Sequence, residues 1–414
     1  MKALTYQPNA ARWVGCKLLG GMKPSVYWST LSGLRYREVP IPELPNGRWV
    51  RLRTLLGGIC GTDLALILQK NHPASYLAGL TSFPIILGHE NVAVIDALGS
   101  KIKSWNIGER VCVEPALSCE PRGIDPTCRP CAAGQFSLCE NVCNGALPKG
   151  MMIGLNSFTG GSWAPYFVAH QSQLHRVPDE LPNEQAILTD PLACALHGVL
   201  RHRPADDDRV LVVGAGIIGL GIVAGLRALD CRSHVTAIAR HAFQEDWLRR
   251  LGADHVIRFP RRAGRRERFD VIASVLGGQR IDGRCGNYGF AGGFDVVYDC
   301  VGTGQSMGDS FKYTRARGTT VLMGTSNITL LDTTPLWNKE LTVLGGYGRQ
   351  IEKLSRRKLH TYELLFELVR DGKIPLDGML THTFRPAQYK EALSLLASRH
   401  RQPVVKAAFE FSNE

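Results

Sequence analysis

Residues 210–220 read VLVVGAGIIGL, an apolar run followed by a glycine-rich turn of the form Gly-x-Gly-x-x-Gly. The run predicts a buried strand, and the turn opens a predicted helix. Gly214 and Gly216 allow a tight turn and close approach of a pyrophosphate, and Gly219 lets the helix pack against the strand. The stretch predicts a dinucleotide-binding unit, although the same turn also occurs in other α/β proteins.

The start of that helix and the end of the next strand bear on the choice of cofactor. Backbone N–H groups near Ile217 and Ile218 can face a phosphate at the helix N-terminus. The next strand ends in Ile-Ala-Arg240-His, without the acidic residue that would bind the ribose hydroxyls of NAD. Arg240 can form a forked pair with a phosphate, which favours NADP over NAD, unless its side chain only faces solvent.

The pattern of predicted secondary structure changes near Asp190. Before it, short β-type runs separated by Gly and Pro predict a mostly β domain over residues 1–190. After it, buried strands alternate with helices, which predicts a doubly wound parallel sheet over residues 191–345. We expect the segment 346–414 to return to the first domain. The predicted fold class is therefore α/β, with two domains.

Two segments are predicted to be surface loops. The first is the basic run RRAGRRER at residues 261–268. The second is the glycine-rich stretch between Phe269 and Phe294, which has no clear strand or helix period.

Length and composition are typical of a soluble globular protein with two domains. The chain has 414 residues, 44% of them hydrophobic and 21% charged, and a formal net charge of +12. The charge suits a ligand with several phosphates as well as a nucleic acid. No apolar run is long enough to cross a bilayer, and the N-terminus is a poor signal peptide. We expect a cytoplasmic protein without membrane partners.

Cys60, His89 and Glu90 supply a thiolate, an imidazole and a carboxylate, a donor set that zinc accepts. Taken singly, a cysteine is more often a small buried hydrophobe and a histidine more often a hydrogen-bonded structural residue. A second cluster contains five of the twelve cysteines, Cys119, Cys128, Cys131, Cys139 and Cys143. This clustering favours metal binding over a disulfide framework.

Four ordered motifs together resemble the zinc-containing medium-chain dehydrogenases/reductases: GGICGTDL at 57–64, LGHENVAVI at 87–95, the glycine-rich turn, and DPLACALHG at 190–198. The resemblance covers nearly the whole chain, apart from the Phe269 to Phe294 stretch and an extended N-terminal segment. Its polyol, threonine and glucose dehydrogenase branch is the most similar. It implies a GroES-like catalytic domain and a Rossmann cofactor domain.

The resemblance also implies roles for particular residues. Cys60 and His89 would bind a catalytic zinc, and Glu90 would be a ligand or an exchangeable neighbour. Thr62 would hydrogen-bond the substrate oxygen and pass on its proton. The chain has Ala65 where many members carry a histidine, so the usual proton path would need water or another side chain.

The remaining catalytic ligand has two candidates. The branch resembled here would place a glutamate at position 190, where this chain has Asp190, and another part of the family uses a cysteine at the position of Cys194. Asp190 is the preferred ligand, although its shorter side chain could reach the metal through water.

The cysteine cluster resembles the structural zinc lobe of the family, in which four thiolates close a tetrahedral site. Cys128, Cys131 and Cys139 match. The first family cysteine would fall at Asp125, and the thiolate preference favours Cys119 as the fourth ligand, with Cys143 a weaker candidate. An empty lobe with reduced thiols is the alternative.

The family pattern further places Cys300, Gly302 and Gly324 along the cofactor groove. Asn156, Trp163 and Leu66 are expected to face the substrate without defining it. The family also suggests a homodimer or homotetramer.

These features predict a zinc-dependent oxidoreductase that moves a hydride between NADP(H) and an alcohol, polyol or sugar hydroxyl, or its carbonyl. One alternative keeps the cofactor bound as a transient hydride store, as in a dismutase, lyase or epimerase. A remote alternative is a basic protein that uses the cysteine lobe as a zinc knuckle on nucleic acid. That alternative is disfavoured because the lobe has few aromatic residues, so we expect no nucleic-acid partner.

Overall fold

The computed structural model describes residues 1–260, 262–324, 327–354, 356–398 and 402–411. The chain divides into two compact units. The first consists of Met1–Asp190, Arg349–Phe366 and Leu376–Glu414, and the second of Pro191–Gly348 and Glu367–Pro375. The short segment Glu367–Pro375 belongs to the second unit, whereas the residues on either side of it belong to the first.

The first unit begins with a run of short strands. They are β1 (Lys2–Tyr6), β2 (Leu34–Glu38), β3 (Trp49–Gly58), β4 (Ile85–Ile86), β5 (Asn91–Leu98), β6 (Arg110–Val113), β7 (Tyr166–His170) and β8 (Leu174–Arg176). The helices of this part are α1 (Ala10–Gly20), α2 (Gly61–Ile67), α3 (Arg129–Ala132), α4 (Asn183–Ala186) and α5 (Thr189–Arg201), the last of which runs into the second unit.

The second unit alternates strands and helices. Its strands are β9 (Arg209–Val213), β10 (His234–Ala239), β11 (His255–Arg258), β12 (Arg280–Asp282), β13 (Tyr288–Phe290), β14 (Phe294–Asp299), β15 (Thr314–Leu322) and β16 (Thr342–Gly345). Its helices are α6 (Ile217–Ala228), α7 (Ala242–Arg250), α8 (Arg265–Leu276), α9 (Gly304–Tyr313) and α10 (Thr334–Asn338). The chain then continues with β17 (Ile351–Leu354), β18 (Arg357–His360), α11 (Thr361–Arg370), β19 (Leu380–Phe384), α12 (Tyr389–Ala397) and β20 (Lys406–Glu410).

The largest sheet of the first unit is built around β3. Its strand order is β19-β20-β3-β5-β6-β8, with β7 also paired to β3. β20 runs antiparallel to β3, with Ala408 opposite Gly58, so the C-terminal strand supports the strand that leads to Cys60. Buried side chains such as Trp49, Leu52 and Phe167 pack into one core beneath this sheet.

The second unit contains a parallel sheet of order β11-β10-β9-β14-β15-β16. The strand order reverses beside β9, which is the arrangement that places a ligand beyond the carboxyl ends of the strands. α6 follows β9 directly, and nearly all of its residues from Gly219 onward are buried, which explains its strongly apolar sequence. Even so, no helix in the described part of the chain has the length and apolar character needed to cross a membrane.

The stretch between Phe269 and Phe294 is not the predicted surface loop. It contains the end of α8 and an antiparallel hairpin of β12 and β13. The Phe269 and Phe290 rings stack with centroids 5.3 Å apart, and both side chains are buried. The sequence did not indicate this helix end and hairpin, because the stretch is rich in glycine and its aromatic residues are too widely spaced to show a period.

The basic run is also not a loop throughout, because Arg265–Leu276 forms α8. Arg265 Nη2 donates to Asp309 Oδ1 at 2.5 Å, and the Arg268 guanidinium lies 5.7 Å from the centre of the Phe259 ring. Arg261 lies outside the described residues. Part of the positive charge is therefore used in packing within this unit.

Candidate active site

Cys60 lies where β3 gives way to α2, and local hydrogen bonds fix its side chain. It is the N-cap of α2, and the Cys60 N–H donates to Asp63 Oδ2 at 3.0 Å. In return, the Thr62 N–H donates to Cys60 Sγ at 3.5 Å, and Thr62 Oγ1 lies 3.7 Å from that sulfur. These hydrogen bonds hold the Cys60 sulfur at the start of α2, so the turn positions it for binding a metal ion.

His89 and Glu90 follow a glycine that no other residue could replace without strain. Gly88 has φ +93°, and a Cβ atom there would lie 2.4 Å from Trp163 Cδ1. The Ser162 hydroxyl then donates to the backbone oxygen of Glu90 at 2.7 Å. A glycine precedes His89 and Glu90 because the backbone at position 88 packs closely against residues 162 and 163. This close packing fixes the positions of the two residues that follow.

Asp63 lies behind the imidazole of His89. The two side chains are buried, and His89 Nδ1 lies 3.5 Å from Asp63 Oδ1. Burial opposes the charged imidazolium, but the negative charges of Asp63 and of the Cys60 thiolate outweigh it and raise the pKa of His89. A carboxylate facing Nδ1 orients the ring and leaves Nε2 as the nitrogen available to a metal.

Glu90 forms a buried ion pair with Lys406 of β20. Lys406 Nζ donates to Glu90 Oε2 and also to the backbone oxygen of Ile59, the latter at 3.2 Å. Gly58 leaves room for this carboxylate, because a Cβ atom there would lie 2.3 Å from Glu90 Oε2. The C-terminal strand thus compensates the charge of Glu90, which could not be inferred from the local sequence.

The ligand atoms of Cys60, His89 and Glu90 all lie within 4.8 Å of one another. Thiolate, imidazole and carboxylate donors in one small group fit zinc, which accepts sulfur, nitrogen and oxygen at about 2.0–2.3 Å. Three protein donors also match the pattern of catalytic zinc sites, which keep one position open. The residues present therefore fit the metal that the donor chemistry suggests.

Asp190 is outside this group and has other partners. The Tyr362 hydroxyl donates to Asp190 Oδ1 at 2.5 Å, and Arg349 Nε donates to the same oxygen at 2.8 Å. Glu114 also lies near this arginine, 3.8 Å from its Nε. The structure therefore does not bring Asp190 together with Cys60, His89 and Glu90. Cys194 lies in α5, in the second unit.

A four-thiol group, hereafter the thiol lobe, occupies a separate part of the first unit. Its members, with all Sγ atoms within 4.8 Å of one another, are Cys119, Cys128, Cys131 and Cys139. Backbone and amide donors point at the sulfurs: the Cys128 N–H donates to Cys119 Sγ and the Asn141 side chain does the same, both at 3.3 Å. N–H donors of this kind stabilise thiolates, so the lobe fits a closed tetrahedral zinc site.

Asp125 and Cys143 are not members of the thiol lobe, and Cys143 is exposed. Hydrogen bonding from Cys131 lowers the pKa of Cys139 to about 5, so its thiolate is accessible at neutral pH. None of the twelve cysteines, all of which lie in the described residues, forms a disulfide. Sequence reasoning identified the lobe from spacing and did not identify Asn141, which lies two residues after Cys139.

The glycine-rich turn of the second unit has the geometry that a bound pyrophosphate requires. Gly214 has φ +99°, and Gly216 is the N-cap of α6. A Cβ atom on Gly219 would lie 1.8 Å from the backbone oxygen of Gly214. Because α6 begins at Ile217, its free N–H groups lie beside the turn and can receive an anion.

Asp299 was missed in the sequence and organises the neighbouring loop. Its buried carboxylate accepts the N–H of Val301 at 2.9 Å and of Gly302 at 3.2 Å, and burial raises its pKa. Gly302 and Gly324 are in close contact, since a Cβ atom on Gly324 would lie 2.2 Å from the Gly302 nitrogen. The available signal was an acidic residue ending a buried strand, one position before Cys300.

Arg240 lies at the same sheet edge as the glycine-rich turn. β10 and β9 are parallel with Ile238 opposite Val213, so both strands end together. Arg240 is exposed, and its backbone N–H donates to Gln244 Oε1 at 3.0 Å. This hydrogen bond fixes the backbone just before α7 and leaves a cationic residue at the end of β10.

Two of the three residues expected to face the substrate are structural instead. Trp163 is fully buried and its Nε1 donates to the Gly58 oxygen at 3.0 Å. Asn156 is also fully buried, and its Nδ2 donates to the Pro148 oxygen at 2.8 Å. Leu66 lines a cavity together with Thr62. The Asn156 amide is used in bonds to the local backbone, which depend on the folded conformation of residues 148–156.

Two family matches cover most of the chain. Residues 46–179 match the alcohol dehydrogenase GroES-like domain, and residues 218–361 match the zinc-binding dehydrogenase family. The first range contains the Cys60 group and the thiol lobe.

Individual relatives agree with these matches. Sorbitol dehydrogenase of Bombyx mori is 26% identical over 369 residues, which cover 88% of this chain and 92% of that protein. A solved alcohol dehydrogenase from Escherichia coli CFT073, complexed with NADH, has a TM-score of 0.71 and 22% identity over 99% of both chains. A zinc-binding dehydrogenase from Sinorhizobium meliloti 1021, bound to NADP, has a TM-score of 0.69 and 24% identity over 91% of this chain and 96% of its own.

Proposed function

The chain belongs to the zinc-containing medium-chain alcohol dehydrogenase family, and on that premise we propose that it is an NADP-preferring dehydrogenase of alcohols, polyols or sugars. Membership makes it a zinc-dependent oxidoreductase with a GroES-like domain and a Rossmann domain, as the motifs indicated. The observation that carries the finer proposal is Arg240 at the end of β10, where an acidic residue would favour NAD.

In the first unit, Cys60, His89 and Glu90 would hold the catalytic metal ion. Zinc, when bound, supplies a Lewis acid that polarises the substrate oxygen. Asp63 keeps His89 oriented through Nδ1, and Lys406 limits the negative charge that Glu90 adds to the group. The mixed donor set is supported by the short separations among these atoms.

Thr62 would handle the substrate proton. Its Oγ1 lies 3.7 Å from Cys60 Sγ, close enough to meet an oxygen held at the same centre. The hydroxyl can accept a hydrogen bond from the substrate alcohol and donate its own proton onward. Because position 65 is an alanine, the proton would leave from Thr62 Oγ1 through water rather than through an imidazole at that position.

Asp190 remains the candidate for the fourth contact in this proposal, through water rather than directly. Its Oδ1 already accepts hydrogen bonds from Arg349 and Tyr362, which lowers its ability to act as a ligand. Cys119, Cys128, Cys131 and Cys139 would hold a second, structural zinc.

In the second unit, the turn at Gly214, Gly216 and Gly219 would receive the pyrophosphate, with the N–H groups of Ile217 and Ile218 at the start of α6. Cys300, Gly302 and Gly324 would line the rest of the groove. Similar structures hold NADH in one case and NADP in another, so the fold alone does not select the cofactor. Arg240 would do so by pairing with the 2′-phosphate.

The test compares Michaelis constants for NADP and NAD in zinc-loaded enzyme with a panel of alcohols and sugars. We expect a preference for NADP that Arg240→Ala reduces by about 10- to 100-fold, the range for a charge-assisted hydrogen bond. Arg232→Ala is the control, since Arg232 is another exposed arginine of the second unit. A strong preference for NAD in the unmodified enzyme would overturn the assignment. Tightly copurifying cofactor without net NADPH formation would favour a retained-cofactor enzyme.

A further inference from the structure

An unusually long connection joins the first two strands. β1 and β2 pair antiparallel from Lys2–Glu38 to Tyr6–Leu34, yet the chain between them takes up residues 7–33 and includes α1. Hairpin loops are commonly about 2–5 residues, and much longer connections in compact domains are usually functional. This connection lies outside the matched family ranges, as do the strands β1 and β2 that it joins.

The connection is tied to the segment that follows α2. Lys17 Nζ donates to the backbone oxygen of Gln69 at 2.8 Å. Gln69 itself has φ +51°, an uncommon conformation for a residue with a side chain. The cation from α1 thus holds a strained turn in place and brings α1 beside α2.

A cavity of about 140 Å³ lies between these elements, entirely within the first unit. Pro8 and Trp13 line it from the connection, and Thr62 and Leu66 line it from α2. Thr62 belongs to this wall, and its Oγ1 is 3.7 Å from Cys60 Sγ, so the cavity lies beside a residue of the proposed reaction centre. An apolar cavity of about 150 Å³ is large enough to bind benzene, so this one can hold a group of that size.

The lining of the cavity selects against highly hydroxylated ligands. Most of the surface facing it is apolar, with Leu77, Phe83 and Leu155 adding to Trp13 and Leu66. Hydroxyl groups placed there would lose water without gaining enough hydrogen bonds. Gln69 is the exception: it is 3% exposed, and neither heteroatom of its amide has a hydrogen-bond partner of acceptable geometry among the described residues.

We propose that the residue 7–33 connection, through Trp13, makes this enzyme selective for alcohols and ketones whose reacting carbon carries one compact apolar group, phenyl-sized or branched alkyl. Polyols and sugars are poor substrates. Gln69 can bind one polar group on the ligand. This inference rests on the proposed function and narrows its substrate class, in contrast to the sorbitol dehydrogenase to which the chain is similar.

The kinetic test uses zinc-loaded full-length enzyme with NADP and three substrates: 1-phenylethanol, ethanol and sorbitol. We expect the kcat/KM for 1-phenylethanol to exceed that for either other substrate by about tenfold or more, the range for apolar-pocket discrimination. Trp13→Ala lowers this value about tenfold while the value for ethanol stays within about twofold, and Trp13→Phe retains most of it. Leu18→Ala is the matched control, because Leu18 lies on α1 and is 73% exposed.

A binding experiment measures occupation of the cavity independently of catalysis. Ethylbenzene, which lacks a reacting oxygen, should raise the Tm of the unmodified enzyme and of Leu18→Ala, and should do so less in Trp13→Ala. Leu77→Phe adds volume at another residue that lines the cavity, and it should also remove the shift and the preference for 1-phenylethanol. This second variant covers the case in which Trp13→Ala disturbs α1.

The outcomes separate the two proposals. Sorbitol oxidised as efficiently as 1-phenylethanol would overturn the selectivity and leave the dehydrogenase assignment intact. An ethylbenzene shift that is absent, or unaffected by Trp13→Ala and Leu77→Phe, would also overturn it. If no alcohol reduces NADP while the shift persists and depends on Trp13, the proposed function fails and the apolar cavity stands.

Discussion

The Cys60 group and the thiol lobe are both candidate zinc sites in one unit, and they differ in how their charges are compensated. In the Cys60 group, two of the three donors face charged side chains: His89 faces the carboxylate of Asp63, and Glu90 faces the ammonium group of Lys406. In the lobe, four sulfurs face N–H donors and one another.

This difference matches two kinds of chemistry. Four thiolates close the coordination sphere of a zinc ion and leave no position for a substrate. Three mixed donors leave a position open, and the surrounding charged side chains tune those donors. Zinc held by the two groups would serve stability in one part of the unit and reactivity in another, because the partners of its ligands differ.

The largest expected effect is from removing a donor of the Cys60 group. His89→Ala should lower kcat/KM by about a thousandfold or more, because it removes one of three ligands to the ion that stabilises developing charge. Metal analysis should show the loss of one zinc per chain while the Tm changes little. His255→Ala, at an exposed histidine, is the control. If His89→Ala kept full activity and a complete metal content, the Cys60 group would not be the catalytic zinc site.

Removing a donor of the thiol lobe should act on stability first. Cys131→Ser is expected to lose the second zinc and lower the Tm by about 5 °C or more, since about 1 kcal/mol corresponds to roughly 2–4 °C in domains of this general size. Activity should fall less than in His89→Ala. Cys143→Ser provides the comparison, because Cys143 is an exposed thiol outside the lobe. A normal metal content and Tm in Cys131→Ser would mean that the lobe binds no zinc.

The smallest effect on metal content is expected at Asp190. Asp190→Asn should keep both zinc ions and lower activity by less than about tenfold, because Asp190 is not among the donors of the Cys60 group. Its main consequence should be a lower Tm, because the buried Arg349 loses the nearer of its two carboxylate partners, Asp190 and Glu114. Metal loss in Asp190→Asn would show direct ligation, whereas metal loss in Cys194→Ser alone would assign that role to Cys194.

Some of the molecule could be predicted because its signals are local. The strand before Gly214, the turn itself and the helix from Ile217 were identified from an apolar run and three glycines whose spacing reflects backbone geometry. The spacing of Cys128 and Cys131 and the Gly-His-Glu triplet were also local signals that could be identified in the sequence. In each case the residues that determine the structure lie within about ten positions of one another.

Other parts depend on residues far apart in the chain. Lys406 is 316 positions from Glu90, and Tyr362 is 172 positions from Asp190. No sequence period links such pairs, because their contact arises from sheet pairing and packing. For the same reason, the Phe269 to Phe294 stretch was predicted to be a surface loop, although its aromatic residues pack in a core.

The sequence alone established the fold class, the candidate metal donors, the glycine-rich turn and the absence of an acidic residue at position 240, because each depends on residue type and short spacing. Tertiary packing decided that Asp190 is held by Arg349 and Tyr362, that Trp163 and Asn156 are structural, and that α1 lines a cavity beside Thr62. Charge compensation and cavity shape are properties of neighbours in space, and distant segments supply most of those neighbours.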